Sequence, residues 1–225
     1  MDLKIIRGDF EAAPERGHVS SLTLIPPAPR CLLGLSHGAG AGMEHANMEA
    51  IAQALASIGV ATFRYQFSYM EQGKGRESAK VSIATVASAA DAAHRQYPEL
   101  PLLMGGHSYG GRMTSLAAAQ GLIPQAKGII FFNFPLHAPG KPGIERASHL
   151  PDIQQPMLFL SGSRDTFAQQ DLLTSVVLSL GPRATLNWLD TANHGYKVLK
   201  RTRSHPSDVF TEIAEYLDGW LRQTI

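Results

Sequence analysis

The chain has 225 residues, 44% of them hydrophobic, with 20 basic and 19 acidic side chains and a formal charge of +1. That length is enough for one well-buried core and short for two domains, and the near-neutral balance supplies no global field for nucleic acid or an anionic membrane surface. A single cysteine excludes an intrachain disulfide, and no apolar run approaches membrane-spanning length.

Taken in order, short apolar runs alternate with longer helical patterns. Residues 3–7 and 19–25 form an opening pair of strands, and Pro26, Pro27 and Pro29 close that part. Cys31 to Ser36 reads as a buried strand whose lone thiol belongs to the core, followed by the small-residue loop His37-Gly-Ala-Gly-Ala-Gly42. Met48, Ile51, Leu55 and Ile58 recur at helical spacing, and Gly59 stops that helix. Val60 to Phe63 is the next strand, Arg64 to Gly75 a polar, aromatic loop, and Ser78 to Tyr97 an Ala-rich helix ending before Pro98. An apolar strand from Pro101 runs into Gly106-His-Ser-Tyr-Gly110, with a helix-compatible run from Met113 to Gln120 behind it.

Gly128 to Phe132 is a further buried strand. Residues 133–155 carry four prolines and no periodicity, so they read as a compact excursion over one face, with 134–150 a short loop or minimal lid. Met157 to Leu160, a helix near 168–180 and Ala184 to Leu189 follow. Val209, Ile213, Tyr216, Leu217 and Trp220 mark a closing amphipathic helix. This alternation predicts an α/β fold, a doubly wound, mostly parallel central sheet with helices on both faces, in one domain over residues 1–225. The opening residues, Met-Asp-Leu-Lys-Ile-Ile-Arg, show neither an apolar segment nor a cleavage signature, so a soluble cytoplasmic protein is expected.

Gly106 to Gly110 matches G-x-S-x-G in the order strand, sharp turn, helix, which stands Ser108 clear of the backbone. In doubly wound proteins active groups lie on loops beyond the carboxyl ends of strands, and Ser108, Asp165 and His194 each occupy such a loop. Their order, Ser then Asp then His, is that of an α/β-hydrolase triad, with Ser108 as nucleophile, His194 as general base and acid, and Asp165 as its orienting partner. Capping or polar-loop roles are the bland alternatives for each residue taken alone. Asp190 ranks below Asp165 because it leaves the last strand, and His205 suits a surface or capping role. The amides of Tyr109 and Ala39, with Gly40 as the alternative to Ala39, are the candidate oxyanion donors.

Neither G-x-G-x-x-G nor G-x-x-x-x-G-K-[ST] occurs, and His37, Glu44, His45 and His107 fit no specific metal spacing, so no cofactor and no metal are expected. Lys200 to Arg203 is a small basic cluster that reads as a solvated face.

Combined, these motifs resemble a small α/β-hydrolase group related to the testis-expressed hydrolase-like protein and to the hydrolase-like domain of the third subunit of a histone-acetyltransferase-associated complex. The matching stretches are residues 37–67, 105–113, 134–142, 158–167 and 193–197. The resemblance implies the α/β-hydrolase fold, places the nucleophile, acid and base on Ser108, Asp165 and His194, and puts the first oxyanion loop on His37 to Gly40. His107 and Tyr109 stand where the group has Lys and Met, and Gly195 where it often has Ser, which bears on pocket shape.

The pocket is expected to be lined by His37, Gly38, Gly40, Arg64, Tyr65, Phe67, Tyr69, His107, Arg112, Phe134, Leu136 and His137. Arg112 can bind a carboxylate or phosphate, or form a structural ion pair with Glu71 or another carboxylate. The expected activity is a serine carboxyl-ester hydrolase working through an acyl-enzyme on a small ester, thioester or lactone. The alternative is a weakly catalytic or non-catalytic binding or complex-scaffold protein on the same fold. Neither nucleic acid nor a membrane is expected as a partner, and oligomerisation or membership of a complex stays open.

Overall fold

A computed structural model of the chain describes residues 2–225. Eight strands among them build one sheet in the order β1-β2-β4-β3-β5-β6-β7-β8. The strands are β1 (Lys4–Glu11), β2 (His18–Ile25), β3 (Cys31–Ser36), β4 (Val60–Tyr65), β5 (Leu102–His107), β6 (Ile129–Phe132), β7 (Met157–Gly162) and β8 (Ala184–Leu189). β2 runs antiparallel to both β1 and β4, and every pair from β4 across to β8 is parallel. β3, β4, β6 and β7 are buried along their whole length, as strands covered on both faces must be.

Alternation at period two divides the apolar side chains between two cores. Met104, Phe131 and Phe159 point to the face covered by α3 (Ala79–Gln96), α4 (Tyr109–Ala119) and α5 (Gln170–Ser179). Leu103, Ile130, Phe132 and Leu158 point to the face covered by α1 (Ala46–Ser57) and α6 (Val209–Thr224). Trp220 of α6 lies so close to the sheet that a Cβ on Gly128 would come within 2.5 Å of its ring. Burial raises the Cys31 thiol to about 11, which keeps it protonated in this core.

The elements fall in the expected order with ends shifted by a few residues, and the differences that bear on the site lie in β4 and the segment after it. β4 does not stop at Phe63: Arg64 and Tyr65 add two rungs by pairing with Leu35 and Ser36 of β3 and with Leu22 and Ser21 of β2. A short helix, α2 (Ser68–Glu71), then forms inside what reads as loop. Arg64 is tolerated within the sheet because its guanidinium reaches Glu49 of α1 at 2.6 Å and donates to the Met43 carbonyl at 3.2 Å. The elbow helix starts at Tyr109, directly after Ser108, and continues into the helix-compatible run from Met113.

Candidate active site

The turn between β5 and α4 holds Ser108 at φ 52° and ψ −115°, a conformation that costs any residue with a Cβ. Close packing around the turn enforces it. A Cβ on Gly106 would fall 2.0 Å from Ser36 Oγ, and one on Gly110 would fall 2.6 Å from the His37 carbonyl, so only glycine lets strand and helix pass. The Ser108 N–H donates to the Phe132 carbonyl at 3.0 Å, which pins the turn to the neighbouring strand.

Three loops meet over that serine. His194 Nε2 lies 2.8 Å from Ser108 Oγ, and His194 Nδ1 lies 2.8 Å from Asp165 Oδ2. Asp165 has a fully buried side chain, and its other oxygen accepts the Phe167 N–H at 2.8 Å. The carboxylate therefore fixes the Nδ1–H tautomer, leaving Nε2 free to accept from the hydroxyl. The Phe167 ring stacks on the His194 imidazole at 4.2 Å between centroids. Asp190, the competing acid, points elsewhere: its Oδ2 accepts the N–H groups of Ser204 and His205, which hold its carboxyl below the usual range.

Ala39 and Tyr109 both line the cleft beside Ser108. Tyr109 opens α4, so its N–H has no partner within the helix. The loop carrying Ala39 is braced from below. His37 is fully buried; its Nδ1–H donates to the Gly38 carbonyl at 2.7 Å and its Nε2 accepts the Phe67 N–H at 3.1 Å. Burial lowers the His37 pKa to about 4, so the ring stays neutral and keeps that accepting nitrogen. Tyr69 secures the same loop through a hydroxyl donated to the Ala39 carbonyl at 3.0 Å.

Several of the side chains expected in the pocket lie behind its wall. Arg64 and Tyr65 are buried strand residues, and Phe67 packs against His37 with no exposure. His37 itself is a brace and Gly38 is buried beneath the loop surface, whereas Gly40 is exposed. Phe134 and Leu136 are wholly buried because the 134–150 excursion turns its apolar side chains onto the α3–α5 core instead of over the entrance. His137 ties the excursion to the start of α5, its Nε2 accepting the Gln169 N–H at 3.1 Å. His107 lies under the base loop: its Nε2–H donates to the His194 carbonyl at 3.1 Å, and burial, followed by His194, lowers its pKa to about 4.

The cleft itself has a volume of about 310 Å³, at the small end for a ligand site. Arg112 lines it together with Pro135 and Phe167, and so do Arg76, Glu77 and Arg146, which nothing in the sequence pattern marks. Asn133 is the other residue missed. It joins three strand ends, accepting the Gly162 N–H at 2.8 Å and donating to the His194 carbonyl at 3.1 Å, from a left-handed backbone at φ 57°. Asparagine directly after a buried strand was the available signal, since it tolerates that conformation better than other side chains.

Among solved structures, the chain superposes on dienelactone hydrolase from Anabaena variabilis with a TM-score of 0.77 at 15% identity, covering 100% of both chains. An α/β serine hydrolase without a lid from Xanthomonas campestris gives a TM-score of 0.73 at 18% identity, covering 98% of this chain and 94% of that one. Est1E from Butyrivibrio proteoclasticus gives 0.72 at 17% identity, over 97% and 98%. At such identities the likeness is one of fold. The sequence itself, over residues 29–222, matches the profile of the alpha/beta hydrolase domain, so the chain belongs to that family.

Proposed function

We propose that the protein is a serine hydrolase that cleaves a carboxylic ester, or a related thioester or lactone, through an acyl-enzyme on Ser108. The observation that carries this reading is the unbroken line from Asp165 through His194 to Ser108, with 2.8 Å at both steps, opening into a cleft. An isolated serine hydroxyl is a weak nucleophile at neutral pH, and an imidazole nitrogen held at that distance to take its proton removes the deficiency.

In the proposed reaction Ser108 Oγ attacks the carbonyl carbon while its proton passes to His194 Nε2. Asp165 stabilises the imidazolium without taking its proton. The carbonyl oxygen becomes an oxyanion facing the amides of Tyr109 and Ala39. Collapse breaks the bond to the leaving oxygen or sulfur, which takes the proton from Nε2. Water then gives its proton to the same nitrogen, attacks the acyl carbon and releases the acid, restoring Ser108. The narrower kinship with the testis-expressed and complex-associated hydrolase-like proteins belongs to this proposal, rests on the motif stretches quoted above, and names no substrate.

A fluorophosphonate probe should label Ser108, located by peptide mass spectrometry. Ser108→Ala should abolish labelling and lower ester hydrolysis by about 10³-fold or more while keeping the fold, because it removes the nucleophile without adding bulk. Folded wild-type protein that resists the probe, and a broad ester and thioester panel hydrolysed equally by both proteins, would sink the reading.

A further inference from the structure

The cleft beside Ser108 is strongly cationic. Arg76, Arg112 and Arg146 line it and Glu77 is the one acidic residue among its lining, so the four charged side chains carry a net charge of +2. None of the three arginines forms an ion pair among the described residues; Glu71, a candidate partner for Arg112, instead accepts from the N–H and hydroxyl of Ser20. The Nε of Arg112 is buried with no hydrogen-bond partner. Glu77 is engaged elsewhere, accepting the Ser82 hydroxyl at 2.9 Å, while that hydroxyl accepts from Tyr109 Oη at 3.0 Å. The relay holds the Tyr109 ring as a floor, and the Arg76 guanidinium sits over it, 5.3 Å from the centroid.

Guanidinium groups gathered in a partly desolvated cleft repel one another unless an anion joins them. The Arg112 pKa is lowered by burial first and then by Arg146 and Arg76, the direction that an unmet charge cluster produces. The protein supplies donors and positive charge here without supplying the acceptor. Position ties this cluster to the reacting centre: Arg112 follows Ser108 by one helical turn, its N–H donating to the Ser108 carbonyl at 3.0 Å. A cleft of about 310 Å³ admits a small molecule and not a polyanion.

We propose that the substrate carries an anionic oxygen group, a carboxylate or a phosphate, held by Arg112, Arg146 and Arg76 a few bonds from the scissile carbonyl. This inference rests on the hydrolase reading above and narrows it to acidic acyl esters or thioesters. Arg112 and Arg146 would set specificity by a forked contact to two oxygens, a geometry that lysine does not reproduce.

The test compares 4-nitrophenyl butyrate with the mono-4-nitrophenyl ester of glutaric acid, which adds a carboxylate at the far end of the acyl chain. The glutarate ester should have the higher kcat/KM by about tenfold, and the ratio should shrink as salt rises. Arg112→Gln and Arg146→Gln should each lower that ratio, Arg112→Lys should restore part of it, and Arg201→Gln, an equal charge change on an exposed residue away from the cleft, should leave it unchanged. A wild-type ratio at or below one, or a ratio indifferent to the two glutamine variants, overturns the inference while leaving hydrolysis intact. Competition by glutarate against inorganic phosphate tells which oxyanion the arginines prefer. If Ser108 resists the probe and neither ester turns over, the hydrolase reading fails. The anion site is then judged by calorimetry of monoethyl glutarate on Ser108→Ala: binding that disappears with added Arg112→Gln upholds it, and no binding overturns it.

Discussion

Asn133 sets the position of the His194 loop without touching Ser108. Its amide oxygen takes the Gly162 N–H from the end of β7, and its amide nitrogen reaches the His194 carbonyl, which also accepts from His107 Nε2. Asn133→Ala leaves a buried N–H without an acceptor and puts alanine at φ 57°. The two effects together should cost about 2–4 kcal/mol in urea unfolding. Because one of the two ties on the His194 carbonyl is lost, kcat of a turned-over ester should fall more than KM rises. Asn133→Asp keeps the acceptor for Gly162 while losing the donor to His194, so it should recover part of the stability and little of kcat. A variant as active as wild type would show that His107 alone holds the His194 loop.

At the scale of elements, the loop between β8 and α6 is held by a buried ion pair. Arg203 and Glu212 have side-chain exposures of 7% and 1%, and their charged atoms approach to 2.9 Å. Arg203 also donates to the carbonyls of Asp190 and Ser207, and Glu212 accepts the Asp190 N–H at 3.1 Å, so the pair fastens the start of α6 to the end of β8. Glu212→Gln strands a buried guanidinium and should cost about 3–5 kcal/mol, whereas the double change Arg203→Met with Glu212→Leu should be far milder, both read from urea midpoints. The sequence presents Lys200 to Arg203 as a solvated basic face, and for Arg203 that expectation is overturned because its partner lies nine residues on, inside an otherwise apolar helix stripe. The same limit explains what else was legible. Period-two runs, the helical stripe of α6 and the order Ser108, Asp165, His194 are local or sequential signals. Asn133 to Gly162, and the gathering of Arg76, Arg112 and Arg146, are meetings of separate segments that leave no periodicity to read. Arg64 shows the converse error: a charged residue reads as the end of a strand, while the sheet carries it onward because α1 supplies Glu49.

Over the whole molecule, these braces give stability a pH dependence with a definite sign. His37 is buried and His107 and His149 are half-buried, and burial is the first cause lowering each pKa to about 4. Protonation of His37 would also turn the nitrogen that accepts the Phe67 N–H into a donor, opposing two N–H groups. In the unfolded chain a histidine titrates near 6.5. Above that value neither state binds the proton, and the three rings cost nothing. Below it the unfolded chain takes up three protons that the folded protein refuses, so stability is lost as pH falls from about 6.5 towards 4. Linkage puts the loss at about 2 kcal/mol per histidine by pH 5. Carboxylates held below their usual range, such as Asp190 and Asp218, lose their contribution at lower pH, and their only partial burial keeps it small. Urea unfolding at pH 7 and pH 5 should therefore show a drop of about 6 kcal/mol in the wild type and about two thirds of that in His107→Gln, which keeps an N–H donor for the His194 carbonyl but cannot titrate. An equal drop in both proteins would mean that His107 takes up its proton in the folded state, and the buried junction of the elbow, the Ala39 loop and the His194 loop would have to admit a charge that its packing now excludes.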